Sequence, residues 1–81
     1  MDREIIIKNI NSALADEFEK DPSTFSADGN LYDVLEIDSL DLVDVIVLIE
    51  KLFGIKTAKE DFASVKTFND LYKFLEERIN K

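Results

Sequence analysis

Apolar residues return every three or four positions along most of the chain, a spacing that predicts helices. Ile6, Ile10, Ala13, Leu14 and Phe18 fall on one stripe, so Arg3 to Glu19 reads as an amphipathic helix. DPSTFSADGN, Asp21 to Asn30, holds the only proline and one of the two glycines among small polar residues, which marks an irregular connection. Phe25, Leu31 and Leu35 supply anchors that tie it to a core. A second helix is predicted from Asp38 or Ser39, where Asp38-Ser39-Leu40-Asp41 has a capping pattern, to Phe53, with Gly54 ending it. Leu42, Ile46, Ile49 and Phe53 form its inward stripe, with Val45 beside them. Thr57-Ala58-Lys59-Glu60 has the form of another capping box, opening a short helical piece pinned by Phe62 and Val65. Thr67 caps a last helix, Thr67 to Arg78, along which Phe68, Leu71, Tyr72, Leu75 and Ile79 repeat at helical spacing. The expectation is an all-α single domain over residues 1–81, a small four-helix bundle of three long helices and one short one.

The second helix has more apolar surface than a bundle needs. Projected at about 100° per residue, Leu40, Val43 and Val47 fall away from the inward stripe, with Asp44 and Lys51 close beside them. Single exposed aliphatics are ordinary on protein surfaces. Here, however, the strip begins at the helix N-terminus beside Ser39, where a functional group would be displayed to a docking partner.

Charge narrows the choice of partner. Eighteen acidic and ten basic residues leave a net charge of −8, which repels nucleic-acid phosphates and anionic lipid and attracts Lys- or Arg-bearing protein surfaces. Apolar residues at 46% suit a folded domain, but 81 residues bury too little surface for a deep active site besides a core. Cysteine and histidine are both absent, so disulfides, thiolate catalysis, Cys/His zinc sites and the commonest general base are excluded. A calcium-loop register with Gly29 at position six puts Thr24, Ser26 and Asp28 at one, three and five but Leu35 at twelve, where a bidentate acid is required. No metal site is expected. The apolar part of MDREIIIKNI is too short for a signal peptide and the run Val45 to Ile49 too short to span a bilayer, which points to a cytoplasmic protein without stable membrane insertion.

Ser39 carries the chemical question. A serine before an apolar run is ordinarily a helix cap. As a nucleophile it lacks a base, because the neighbouring carboxylates, with unperturbed pKa values of about 4, are poor acceptors for a hydroxyl proton. It can instead be a substrate, modified by an enzyme that brings its own base and metal.

The stretch LYDVLEIDSLDLVDVIVLIEKLFGIKTAKEDFASVKTFNDLYKFLEERI resembles the acyl carrier protein family, centred on Asp38-Ser39-Leu40 and extending from Ile6 to Ile79. The tripeptide alone is a weak signal; the acidic-apolar helix after it, the LFGI ending and the VKTFNDLYKFL close make the likeness specific. The resemblance implies that Ser39 receives 4′-phosphopantetheine from coenzyme A through a phosphopantetheinyl transferase, and that the arm's thiol carries acyl groups as thioesters between enzymes. It implies that Asp38 helps orient the transferase's Mg²⁺. Asp41, Asp44 and Glu50 would meet basic patches on acyl-transferring or ketosynthase-type enzymes, with Leu40, Val43 and Val47 adding apolar contact and Lys51 at the rim. It places an acyl pocket among Leu31, Leu42, Ile46, Phe62 and Leu71, in a monomeric carrier that is not itself an enzyme. The absence of cysteine then makes sense, since the working thiol belongs to the cofactor.

Four positions depart from the common family pattern. Glu36 stands where a glycine is usual, so the turn into the motif lacks a residue free to adopt the left-handed conformation. Lys51 interrupts the acidic run, Ile55 to Ala58 replaces an apolar-plus-proline ending, and Phe62 is bulky where a small residue is frequent. These departures favour a specialised stand-alone carrier over the housekeeping fatty acid synthase carrier, the alternative being a non-covalent acidic interaction module.

Overall fold

A computed structural model describes residues 2–80. The chain folds into four α-helices, α1 (Arg3–Glu17), α2 (Leu31–Leu35), α3 (Leu42–Phe53) and α4 (Phe68–Ile79), and no β-strand occurs among the described residues. Single turns of 3₁₀ helix lie at Pro22–Thr24, Ser39–Asp41 and Lys59–Phe62.

Each helix contributes a stripe to one apolar core: Ile6, Ile10 and Leu14 from α1, Leu31 and Leu35 from α2, Leu42, Val45 and Ile49 from α3, and Phe68, Leu71, Tyr72 and Leu75 from α4. Phe62 and Val65 fill the side between α3 and α4. Burial of each aliphatic side chain stabilises the fold by about 1.5–3 kcal/mol, and among the described residues no charged side chain is buried. Polar ties between α1 and α4 stay at the rim, where Arg3 donates to Asn69 at 2.8 Å and the Tyr72 hydroxyl donates to Asn11 at 2.8 Å.

The long connection after α1 is held by the backbone of the α4 entrance. Leu31 N–H donates to the Lys66 carbonyl at 2.8 Å, Phe68 N–H to Gly29 at 3.1 Å and Asn69 N–H to Ala27 at 2.9 Å, while Phe25 stacks on Phe68 with ring centroids 4.8 Å apart. Asn30 caps α2 by accepting from Tyr32 and Asp33, and Thr67 caps α4 with Asp70 reaching back to the Thr67 N–H.

Several expectations need correction. The first helix ends at Glu17 rather than Glu19: Glu19 turns left-handed with φ 54°, and the Lys20 N–H closes the end on Ala15. Ala15, not Ala13, joins its buried face. The fourth α-helix is α2, five residues too short to show a period, whereas the short piece expected after Thr57 is a 3₁₀ turn. That turn begins one residue later, with the Ala58 N–H donating to Asp61 at 2.8 Å, and the Thr57 hydroxyl is left buried without a hydrogen-bond partner. Along the second predicted helix, Val45 is as fully buried as Ile49, while Ile46 and Phe53 are half-buried against the core.

Candidate functional site

The polypeptide reaches Ser39 through an unusual turn. Glu36 adopts φ 56°, ψ 46°, the left-handed conformation that glycine accommodates without strain, and the Ile37 N–H returns to the Tyr32 carbonyl at 3.0 Å to close α2. The expectation that this turn would avoid the left-handed region is therefore overturned. The Lys20 ammonium, from just past α1, pairs with the Glu36 carboxylate and holds it below the ordinary carboxylate range through that hydrogen bond and its charge.

From Asp38 the chain enters a 3₁₀ turn, Ser39–Asp41, before α3 begins at Leu42, so the predicted α-helical start at Asp38 or Ser39 is a tighter turn. Asp38 accepts from the Leu40 N–H at 2.9 Å, and Asp41 accepts from the Asp38 N–H at 3.1 Å. These carboxylates satisfy donors that a helix start leaves open. Asp41 is consequently half-buried. The capping duty falls on Asp38 and not on Ser39, whose exposed hydroxyl makes no hydrogen bond among the described residues. An exposed hydroxyl with no internal competitor suits a covalent attachment point, and no group beside it can act as its base.

Beyond Ser39 the side chains of α3 divide by exposure. Leu40 is 75% exposed, Val43 53% and Val47 42%, a continuous apolar strip, with Asp44, Glu50 and Lys51 exposed around it. Leu31, Leu42, Phe62 and Leu71 are buried in the core, and Ile46 is half-buried against it. Two open cavities, of about 580 and 210 Å³, are lined respectively by α1 residues with Lys20 and Leu52, and by the outer side of α4 with Ser64 and Val65. None of the five expected pocket residues lines either one.

Sequence patterns missed the Lys20–Glu36 pair, which joins residues sixteen positions apart across an irregular connection. No group of three or more acidic residues among those described is arranged to hold a metal ion, and no described helix is long and apolar enough to cross a membrane.

Comparison with known proteins agrees with this geometry. The family model for the phosphopantetheine attachment site matches residues 9–75. The acyl carrier protein of Thermotoga maritima is 31% identical over 77 residues, covering 95% of each chain. That of Rubrobacter xylanophilus is 32% identical over 77 residues, again 95% of each, and that of Coprothermobacter proteolyticus 29% over 79 residues, 98% of this chain and 96% of its own. The matched span contains the exposed Ser39 turn, the strip on α3 and the core that supports both, and the chain belongs to the acyl carrier protein family, whose members bear phosphopantetheine.

Proposed function

We propose that residues 1–81 act as one carrier domain on which Ser39 is the point of attachment of 4′-phosphopantetheine. The observation that carries this reading is the hydroxyl itself, exposed, without a hydrogen bond among the described residues and held at a turn braced by Asp38 and Asp41. Loading forms a bond from Ser39 Oγ to phosphorus as the diphosphate of coenzyme A breaks. Adenosine 3′,5′-bisphosphate leaves, and the hydroxyl proton passes to the phosphopantetheinyl transferase. The chain supplies no base for that step. Asp38, exposed beside Ser39, would help orient the transferase's Mg²⁺. Once attached, the arm provides a thiol that holds acyl groups as thioesters.

Delivery depends on α3. Leu40, Val43 and Val47 give a partner an apolar contact, and Asp44 and Glu50, with the outer part of Asp41, attract the Lys and Arg of acyl-transferring or ketosynthase-type enzymes. Rim charges of this kind raise association rates more than they lengthen residence, which suits a shuttle. The molecule works as a cytoplasmic monomer and catalyses nothing itself, and its departures at Glu36, Lys51, Ile55 to Ala58 and Phe62 favour a specialised carrier over the housekeeping one.

Incubation with coenzyme A, Mg²⁺ and a broad-specificity phosphopantetheinyl transferase adds one phosphopantetheine mass, and omission of the enzyme adds none. Ser39→Ala abolishes the addition with an unchanged helical spectrum. A parent protein that no transferase modifies overturns the assignment in favour of a non-covalent interaction module.

A further inference from the structure

We propose that α3 reads two charges of opposite sign on the enzyme it serves: a basic site near Ser39 and an acidic residue that meets Lys51. The proposal rests on α3 being the docking face and specifies the partner that fits it. Lys51 is the sole cation between residues 37 and 55. It is exposed and belongs to none of the three ion pairs, Arg3–Glu76, Lys20–Glu36 and Arg78–Asp61, found among the described residues.

The helical register explains why it is unpaired. Side chains three and four positions away are neighbours on a helix, and for Lys51 those positions hold Leu48, Val47, Gly54 and Ile55, none of them acidic. Glu50 is adjacent in sequence and therefore about 100° around the axis. Seven residues separate Asp44 from Lys51, about 20° short of two full turns, so the two lie almost in line, about 10 Å apart along α3. Val47 lies between them. On the edge that carries Asp44 the apolar strip thus has an acid towards Ser39 and a cation at the far end, about 20 Å from Ser39 along the axis, while Glu50 lies on the opposite edge in line with Val43.

A uniformly basic enzyme surface puts a like charge against Lys51, whereas a surface with a carboxylate there gains a pair, so this lysine selects among enzymes that all bind the acidic end. Lys51 also lies in the last turn of α3, where a cation favours the helix dipole. That contribution acts on stability alone and leaves no signature in a partner's KM.

The test uses the acylated carrier and a purified fatty acid synthase ketosynthase with an exclusively Lys/Arg docking patch. Lys51→Glu should lower KM about three- to fivefold with kcat unchanged, the scale of one exposed charge pair, and Lys51→Gln should fall between. Replacing by Glu the ketosynthase cation that opposes the C-terminal half of α3 should reverse the order, so that the parent carrier becomes the better substrate. Thermal midpoints of the three carriers report the helix-dipole contribution, which shifts stability and leaves KM unchanged, and so separate folding from docking. Equal KM values for all three on both enzymes overturn the proposal. Asp44→Lys run in parallel distinguishes the failures: if it raises KM while Lys51 is inert, only this inference falls, and if it too is inert, α3 is not the docking face.

Discussion

Glu36 shows how a single residue can depart from its family's pattern without changing the fold. Its backbone takes the left-handed conformation that glycine prefers, and its side chain is held by Lys20. Two opposing effects follow. Glycine relieves the backbone strain but loses an exposed ion pair, and exposed pairs are worth little, so Glu36→Gly should raise the thermal midpoint by roughly 2–5 °C. Glu36→Ala keeps the strain, loses the pair and should lower the midpoint; the same sign for both variants in a melting experiment would refute this account. The departure at position 36 was visible in the sequence. Its resolution was not, because no local pattern connects Lys20 to Glu36 across a connection that contains Pro22 and Gly29. Ser39 was legible as the candidate residue, but the division of labour that leaves its hydroxyl unbonded depends on which carboxylate caps the turn.

A helix boundary was most legible where the cap led directly into a strong period, as at Thr67. The last helix, capped by Thr67 and starting at Phe68, with Phe68, Leu71, Tyr72 and Leu75 turned inward, follows its sequence signature closely. α2 was missed because five residues make little more than one turn, although its cap Asn30 and anchors Leu31 and Leu35 stood in plain view. The α4 cap also governs behaviour in acid. Backbone N–H groups of Lys66 and Thr67 hold the Asp70 carboxyl below its usual range, as the Ser23 N–H does for Asp21. Since these folded-state values lie below the unfolded ones, the stabilisation is complete above the ordinary carboxylate pKa of about 4 and is lost as pH falls through the lower folded value. Discharging an acidic surface relieves repulsion over part of the same range, so the informative quantity is a difference between variants. Asp70→Asn should narrow its stability gap to the parent below about pH 4 and show its full deficit near pH 7, as measured by urea unfolding. A gap independent of pH would contradict this role for Asp70.

At the scale of the molecule, the all-helical architecture was legible because hydrophobic periodicity reports which face of each long helix turns inward. Core occupancy bears on cargo. Leu31, Leu42, Phe62 and Leu71 are buried together, and Phe62 also packs on Phe74 with ring centroids 5.5 Å apart. A long acyl chain entering there must displace packed side chains, so the thermal midpoint should rise little between short and long acyl forms. A steady climb with length, approaching about 0.8 kcal/mol per added CH₂, would identify a chain-binding interior instead. The attachment of the long connection to α4 was not legible, because its links run between main-chain atoms, from Leu31 to Lys66, Phe68 to Gly29 and Asn69 to Ala27. Such links are blind to side-chain identity. Substitution at Ala27 or Lys66 leaves them intact, and Gly29, where an added Cβ would come within 3.2 Å of the Ser26 carbonyl, is sterically restricted. The exposed positions of this edge, Ala27 and Lys66 among them, can therefore vary in sequence while the turn bearing Ser39 keeps its place, which gives related chains room to acquire distinct surfaces without relearning how to fold.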